Sequence, residues 1–161
     1  MERADFMDAV RQHQDMVYRI ALHHFASQPD AEDAVQEVFL RLYTREDPFD
    51  SPEHLRRWLI RVTVNYCRNE LKTPWRRRRV SLESLPEPPV FQQPAQLELY
   101  QAVMALPEKY RTVLDLFYYE ELSTREIAGL LHIRQSAVTT RLTRARKILK
   151  QTLTEVWQDE E

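Results

Sequence analysis

Apolar side chains recur at intervals of three and four residues along most of the chain, which is the period of an amphipathic helix. The first helix predicted from this pattern covers residues 5–25. A second begins at Pro29 and Asp30, so that acidic side chains lie near its positive N-terminal end. Two prolines interrupt the pattern within residues 44–52, which are therefore predicted to form a loop.

The third predicted helix, about residues 53–73, is apolar over most of its surface and polar along one strip. Ser51 is placed to cap this helix, and Pro52 to occupy its first position. The strip, here called the basic strip, consists of Arg57, Arg61, Asn65, Arg68 and Lys72. These positions lie within about 80° of the helix surface. The pattern predicts a largely buried helix that exposes one basic strip.

Residues 80–96 contain four prolines and no helical period, so they are predicted to form a partly extended linker. The linker separates two predicted domains, residues 1–79 and residues 97–161. Helices in the second domain are predicted at 97–105, from Pro107 onwards, at 123–131 and at 135–154.

The composition favours an all-α fold. The chain has one glycine among 161 residues, and tight β-hairpins need glycine for their left-handed positions. The nine prolines fall between the periodic segments rather than inside them. We therefore expect two small helical domains joined by a proline-rich linker.

Several classes of function are disfavoured by the sequence. Cys67 is the only cysteine and the histidines lack metal-ligand spacing, so no metal or cofactor is expected. The chain has no glycine-rich phosphate loop, no HExxH motif and no nucleophile–base pair, so we expect no enzyme activity and no small-molecule substrate. No apolar run approaches the length of about 20 residues that spans a bilayer, and no signal peptide is visible. A cytoplasmic protein is expected.

Residues 122–150 have the pattern of a helix-turn-helix. Ser123 or Thr124 can cap its first helix, with Glu126 placed for a capping box. The turn is expected to carry Ile133 into the core. The second helix is expected to bury Val138, Leu142, Ala145 and Leu149. Its other side carries Ser136, Thr139, Thr140, Thr143, Arg144 and Lys147.

The charge of this segment points to an anionic partner. No Asp or Glu occurs from Ile127 to Thr154, whereas six Arg and Lys residues lie between Arg134 and Lys150, in a chain of net charge −2. Short hydroxyl side chains and long cations on one helix face suit the DNA major groove. A solvated polar face is the alternative, but the helix-turn-helix pattern favours DNA binding.

Four segments, in their order and spacing, resemble an extracytoplasmic-function sigma factor of bacterial RNA polymerase. They are residues 30–43, 55–71, 105–131 and 137–149. The resemblance implies a region 2 domain that binds the polymerase β′ clamp and opens the −10 promoter element. It also implies a region 4 domain that binds the β flap and reads the −35 element. An anti-sigma factor is a further expected partner.

The resemblance also implies roles for individual residues. The residues matching the polymerase-binding segment are Asp33, Gln36 and Glu37. Asn65 and the loop match the part that captures a flipped −10 base, and the residues expected at −10 DNA are Phe49, Arg57, Arg61, Asn65, Arg68, Lys72, Arg76 and Arg77. Those expected at the −35 element are Arg134, Ser136, Ala137, Thr139, Thr140, Arg141, Thr143, Arg144 and Lys147. Arg141 lies toward the buried flank and is expected to contact phosphate rather than a base edge.

The chain departs from the family pattern at several positions. Glu121, His132 and Ser136 stand where glycine is common, and Thr139 stands where Lys or Arg is frequent. Trp58 is expected to pack in the core rather than to stack on a base. Two alternatives remain open from the residues: a dimeric helix-turn-helix regulator, and an anti-sigma-like protein, against which the basic reading helix argues.

Overall fold

All regular structure in the described part of the chain is helical. The computed structural model describes residues 1–73 and 94–159, with the side chains of 94, 95 and 156–159 left aside. The chain divides into two compact units, Met1–Ser84 and Leu85–Glu161. The all-α, two-domain prediction is thus confirmed. Arg76, Arg77 and most of the predicted linker lie outside the described residues, so the domain boundaries remain predictions.

The first unit is a body of three mutually packed helices. They are α1 (Arg3–Phe25), α2 (Gln28–Thr44) and α3 (Pro52–Leu71). Phe25 is fully buried among small side chains, Ala31 and Ala34 from α2 and Cys67 from α3. Because these neighbours are small, the helices can pack closely around the aromatic ring. The pattern predicted all three helices, with ends that differ by at most two residues.

Serine side chains set the beginnings of the second and third helices. The Ser27 hydroxyl accepts a hydrogen bond from the Asp30 amide (3.4 Å), and the Ser51 hydroxyl accepts one from the His54 amide (3.0 Å). Pro52 occupies the first position of α3, as predicted. Asp30, by contrast, is completely buried rather than at the surface of the helix end.

The second unit is built around one long helix. Its elements are α4 (Pro94–Met104), α5 (Glu108–Leu114), a π-helical segment (Asp115–Tyr119), α6 (Thr124–Leu131) and α7 (Gln135–Asp159). The helix α7 packs against α4, α5 and α6. Helix α4 begins three residues before the predicted start and inside the predicted linker. The predicted single helix after Pro107 is α-helical only to Leu114, where the π-helical segment begins.

The core of this unit follows the apolar pattern with two exceptions. Val138, Leu142 and Ala145 of α7 are buried as predicted. Ile133 and Leu149, expected in the core, are only half-buried. The Arg111 guanidinium is also buried, where its Nη1 donates to the carbonyls of Met104 (3.3 Å) and Leu106 (2.8 Å). Burial lowers the pKa of Arg111, although nearby Glu108 opposes that shift.

The left-handed backbone positions of the described residues carry side chains, whereas the one glycine lies in a regular helix. Within the described residues, Ala26, Glu121 and His132 have φ of 52°, 57° and 55°, in the left-handed region that favours glycine. Two of these are positions where the resemblance leads one to expect glycine, and only Ala26 was not anticipated. Gly129 lies instead on the exposed side of α6, where an added Cβ would meet nothing within 4 Å.

The placement of Gly129 in a helix and of Ala26 at a left-handed position gives a prediction about the free energy of unfolding. Replacing Gly129 with Ala is expected to stabilise the protein by about 1 kcal/mol, because helical glycine costs backbone entropy. Replacing Ala26 with Gly is expected to stabilise it by about 0.5–1 kcal/mol, because the left-handed strain outweighs the entropy gained by the unfolded chain. Urea unfolding of the full chain measures both changes. A destabilised Gly129→Ala variant would contradict the absence of a neighbour at this position.

Candidate nucleic-acid and partner-binding faces

The helix-turn-helix is held by side-chain and backbone hydrogen bonds at both ends of α6. The Ser123 hydroxyl accepts from the Glu126 amide (3.1 Å), and the Glu126 carboxylate accepts from the Ser123 amide (3.2 Å), so the predicted capping box is present. At the other end the chain turns through the left-handed His132, and the Ile133 amide donates to the Ala128 carbonyl (3.1 Å). These bonds fix where α6 ends and where α7 can begin.

One face of α7 presents the predicted DNA-reading side chains to solvent. This reading face consists of the exposed residues Ser136, Thr139, Thr140, Thr143, Arg144 and Lys147. Arg134, just before the helix, is exposed as well, whereas Ala137 and Arg141 are half-buried on one flank. The structure therefore brings all nine predicted −35 residues to α7 and its entry, with Arg141 on the flank where the pattern placed it.

Two threonine hydroxyls of the reading face use their hydrogens in bonds to the backbone of α7. The Thr139 hydroxyl donates to the Gln135 carbonyl (3.2 Å), and the Thr143 hydroxyl donates to the Thr139 carbonyl (3.0 Å). A hydroxyl has one hydrogen and two lone pairs, so each oxygen keeps acceptor capacity. These side chains can therefore accept from a base amino group or place a methyl group against thymine.

The basic strip of α3 lies along the solvent side of the first unit. Arg57, Arg61 and Lys72 are exposed, and Asn65 and Arg68 are half-buried. Arg57 Nε lies 3.1 Å from a Glu53 carboxylate oxygen, which partly neutralises it. Arg61 has no ion pair among the described residues and is the freest cation at the middle of the strip.

The loop between α2 and α3 folds onto its own aromatic side chains. The Arg45 guanidinium lies 4.3 Å from the Phe49 ring centre and 5.3 Å from that of Trp58. The Phe49 ring also makes edge-on contacts with His54 (5.1 Å) and Trp58 (5.6 Å). Trp58 is half-buried, so its expected place in the core is only partly realised. Sequence reasoning did not single out Arg45, which contacts both rings and is half-buried like them.

A cavity of about 610 Å³ lies beside this loop. Its wall combines the Phe49 and Leu55 side chains with the loop and with the first turns of α1. Carboxylates line it as well, namely Asp5, Asp8, Glu46, Asp47 and Asp50. The cavity is large enough for a planar base, and the single cation on its wall is Arg45.

The exposed side of α2 carries the three residues predicted to bind polymerase. Asp33 and Gln36 are exposed, and the half-buried Glu37 accepts from Arg41 Nε at 3.1 Å. Leu40 lies in the middle of this face by helical angle and is 56% exposed. The signal for Leu40 was available in the sequence, because it is an apolar residue off the buried stripe of α2.

In residues 1–73 and 94–159, no group of three or more His, Cys, Asp or Glu side chains is placed to hold a metal ion. In the same residues, no helix is both long enough and apolar enough to cross a membrane.

Comparison with known proteins identifies the family. Residues 9–77 match the family model sigma-70 region 2, and residues 96–149 match sigma-70, region 4. The chain is 30% identical to the ECF RNA polymerase sigma factor SigW of Bacillus subtilis (strain 168), over 92% of this chain and 88% of that protein. It is 33% identical to the ECF RNA polymerase sigma factor SigE of Mycolicibacterium smegmatis, over 89% of this chain and 59% of that protein.

A solved structure has the same fold. The sigma factor RpoE from Bartonella quintana, crystallised with the anti-sigma factor NepR, superposes with a TM-score of 0.75 at 20% identity, over 93% of this chain and 97% of that one. The two chains therefore share an all-helical, two-domain fold. The chain belongs to the extracytoplasmic-function group of the sigma-70 family, whose members direct RNA polymerase to promoters and are not themselves enzymes.

Proposed function

We propose that the two units of this sigma factor bind core RNA polymerase and contact two elements of one promoter. The observation that carries the proposal is the reading face of α7, which is exposed, basic and mounted on a capped helix-turn-helix. The second unit reads the −35 element through this face while it is held on the polymerase β flap. The first unit binds the β′ clamp and opens the −10 element.

At the −35 element, the hydroxyls and cations of the reading face have different tasks. Thr139 and Thr140 lie close to base edges because their side chains are short. Arg144 reaches a base or a phosphate with its fork of donors, and Lys147 acts as a point charge on phosphate. Arg141 contacts phosphate from the flank. Arg134, Ser136, Ala137 and Thr143 complete the surface.

At the −10 element, the basic strip follows the phosphates of the non-template strand, and the loop captures one unpaired base. Cations along a groove with aromatic groups nearby suit single-stranded DNA. Asn65 lies within the strip, where its amide can hydrogen-bond to a base. Because the Phe49 ring is covered by Arg45, we infer that Phe49 supports the loop and that Arg45 is the group available for stacking. Arg76 and Arg77 are proposed from the resemblance to hold the adjacent duplex.

The polymerase-binding face is the exposed side of α2. Asp33, Gln36 and Glu37 precede the exposed Leu40 on the same face of α2. An exposed apolar side chain next to polar groups is a candidate anchor for a protein–protein interface. An anti-sigma factor is the expected inhibitory partner, in keeping with the NepR complex of the solved relative.

A dimeric helix-turn-helix regulator is the second candidate, and no observation favours it. Such a regulator needs neither the basic strip nor an apolar residue in the middle of the α2 face. The family match spans both units and assigns each of them to a sigma-70 region.

Replacing Leu40 with Asp tests the proposed polymerase contact. The variant is expected to bind core RNA polymerase at least about tenfold more weakly, because a central hot-spot side chain is lost and a charge is buried. Fluorescence anisotropy of labelled chain titrated with core enzyme measures the affinity. Met7→Asp is the matched control, since Met7 is a similarly exposed apolar residue of α1 (41%). If the wild-type chain showed no affinity for core enzyme, the proposed function would fail; equal losses in both variants would remove Leu40 from the contact.

A further inference from the structure

Arg146 is set apart from the other cations of α7. It is exposed and belongs to the acid-free run, so its sequence context suggests another phosphate contact. By helical angle it lies about 90° from the centre of the reading face, on the flank opposite Arg141. Its guanidinium is turned to protein rather than to that face.

The partners of Arg146 are two aromatic rings, 28 and 29 residues earlier in the chain. Its guanidinium carbon lies 5.3 Å from the Tyr118 ring centre and 5.7 Å from that of Phe117. Its Nε donates to the Tyr118 hydroxyl. The two rings meet edge to face, with centres 5.0 Å apart and planes at 85°. A planar guanidinium combines stacking with a directed hydrogen bond, which an ammonium does not.

The rings are presented by the π-helical segment. The Glu120 amide donates to the Asp115 carbonyl at 3.1 Å, and the wider turn ends at the left-handed Glu121. Leu116 within the segment is completely buried, which anchors it to the core. A π-helical turn is a local departure from regular helix that often marks a functional position. Here it directs Phe117 and Tyr118 toward α7.

We propose that Arg146, clamped on Phe117 and Tyr118, is a positioning residue that sets the rotation of α7 about its own axis. The buried residues of α7 form one narrow stripe, so they allow some rolling of the helix against the core. A contact on one flank removes that freedom. At the N-terminal end, Gln135 Nε2 donates to the Thr124 hydroxyl (2.8 Å) and fixes the entry of the helix. The clamp thereby determines where the reading face points, and this inference rests on the proposed −35 recognition.

Variants of both partners distinguish a clamp from a phosphate contact. With holoenzyme on a promoter selected by the wild-type chain, the measured quantity is the preference for the selected −35 element over a scrambled one. Tyr118→Leu, which removes no charge, is expected to lower that preference about three- to tenfold. Arg146→Lys is expected to lower it similarly, although the charge is kept. Tyr118→Phe, which loses only the hydroxyl, is expected to fall between wild type and Tyr118→Leu.

A phosphate contact gives the opposite pattern. Arg146→Lys would then keep the preference, Tyr118→Leu would have no effect, and Arg146→Ala would reduce the slope of log affinity against log salt by about one. A variant that only destabilised the second unit would bind the selected and the scrambled −35 elements more weakly by the same factor, and the preference would stay unchanged. Any of these results would overturn the clamp. If wild-type holoenzyme itself showed no −35 preference, the proposed function would fail as well.

Discussion

Replacing Arg144 with Glu is expected to lower transcription from a −35-dependent promoter by about 100-fold. Arg144 is exposed on the reading face. A lost Arg contact to a base or phosphate costs about 1–3 kcal/mol, and a carboxylate facing DNA adds repulsion. Single-round run-off transcription with core enzyme measures the effect. Binding of the variant to core enzyme should be unchanged, because Arg144 lies on the reading face and is not proposed to contact the polymerase.

Lys109→Glu is the matched control for that experiment. It makes the same change of charge at an exposed position of α5 in the same unit. Its transcription is expected to stay within about twofold of wild type, because an exposed charge away from the contact contributes little. If Arg144→Glu and Lys109→Glu behaved alike, the reading face would not be the −35 contact.

Replacing Arg61 with Glu is expected to reduce opening of the −10 element by about tenfold or more, because single-strand binding depends strongly on cations along the backbone. Arg61 is exposed at the middle of the basic strip, without an ion pair among the described residues, so its charge is available to DNA. Fluorescence of 2-aminopurine placed in the −10 element reports strand separation. Binding to core enzyme serves as the check that the first unit is intact.

Arg11→Glu provides the comparison for the strip. Arg11 is an exposed cation of α1 whose side chain pairs with Asp8 at 3.4 Å, and it is not part of the basic strip. This variant is expected to open the promoter as wild type does. An Arg61→Glu holoenzyme that opened the promoter at the wild-type rate would mean that the strip does not hold the separated strand.

The helices and their first residues could be predicted because apolar spacing and capping depend on residues close together in the sequence. Apolar spacing located five of the seven α-helices to within about three residues, and the last helix runs five residues beyond its predicted end. Ser51 and Ser123 cap where the local pattern placed them. The larger exception is the helix after Pro107, which was predicted as one continuous element. Its change to π-helix depends on how Leu116 and its neighbours fit the core, which local spacing does not encode.

The faces were predicted better than the contacts across them. The reading face and the basic strip follow from helical period alone. The reading face is exposed, and the basic strip is exposed at Arg57, Arg61 and Lys72 but half-buried at Asn65 and Arg68. Arg45 over Phe49 and Arg146 over Tyr118 were missed, because each contact depends on how a loop or a π-helical segment folds back. Leu40 was missed although its signal was present, because the prediction for α2 used its polar residues and not an apolar residue off its buried stripe.

Selection of promoters from a randomised DNA library by in vitro transcription tests the two-element claim most directly. With core RNA polymerase and this chain, the transcribed sequences are expected to share two short elements at one fixed spacing, near −35 and −10. Without core enzyme, the chain should enrich neither element. The contradicting result would be that the chain alone enriches a single palindrome and that adding core enzyme yields no transcript. Such a chain would not act as a sigma factor.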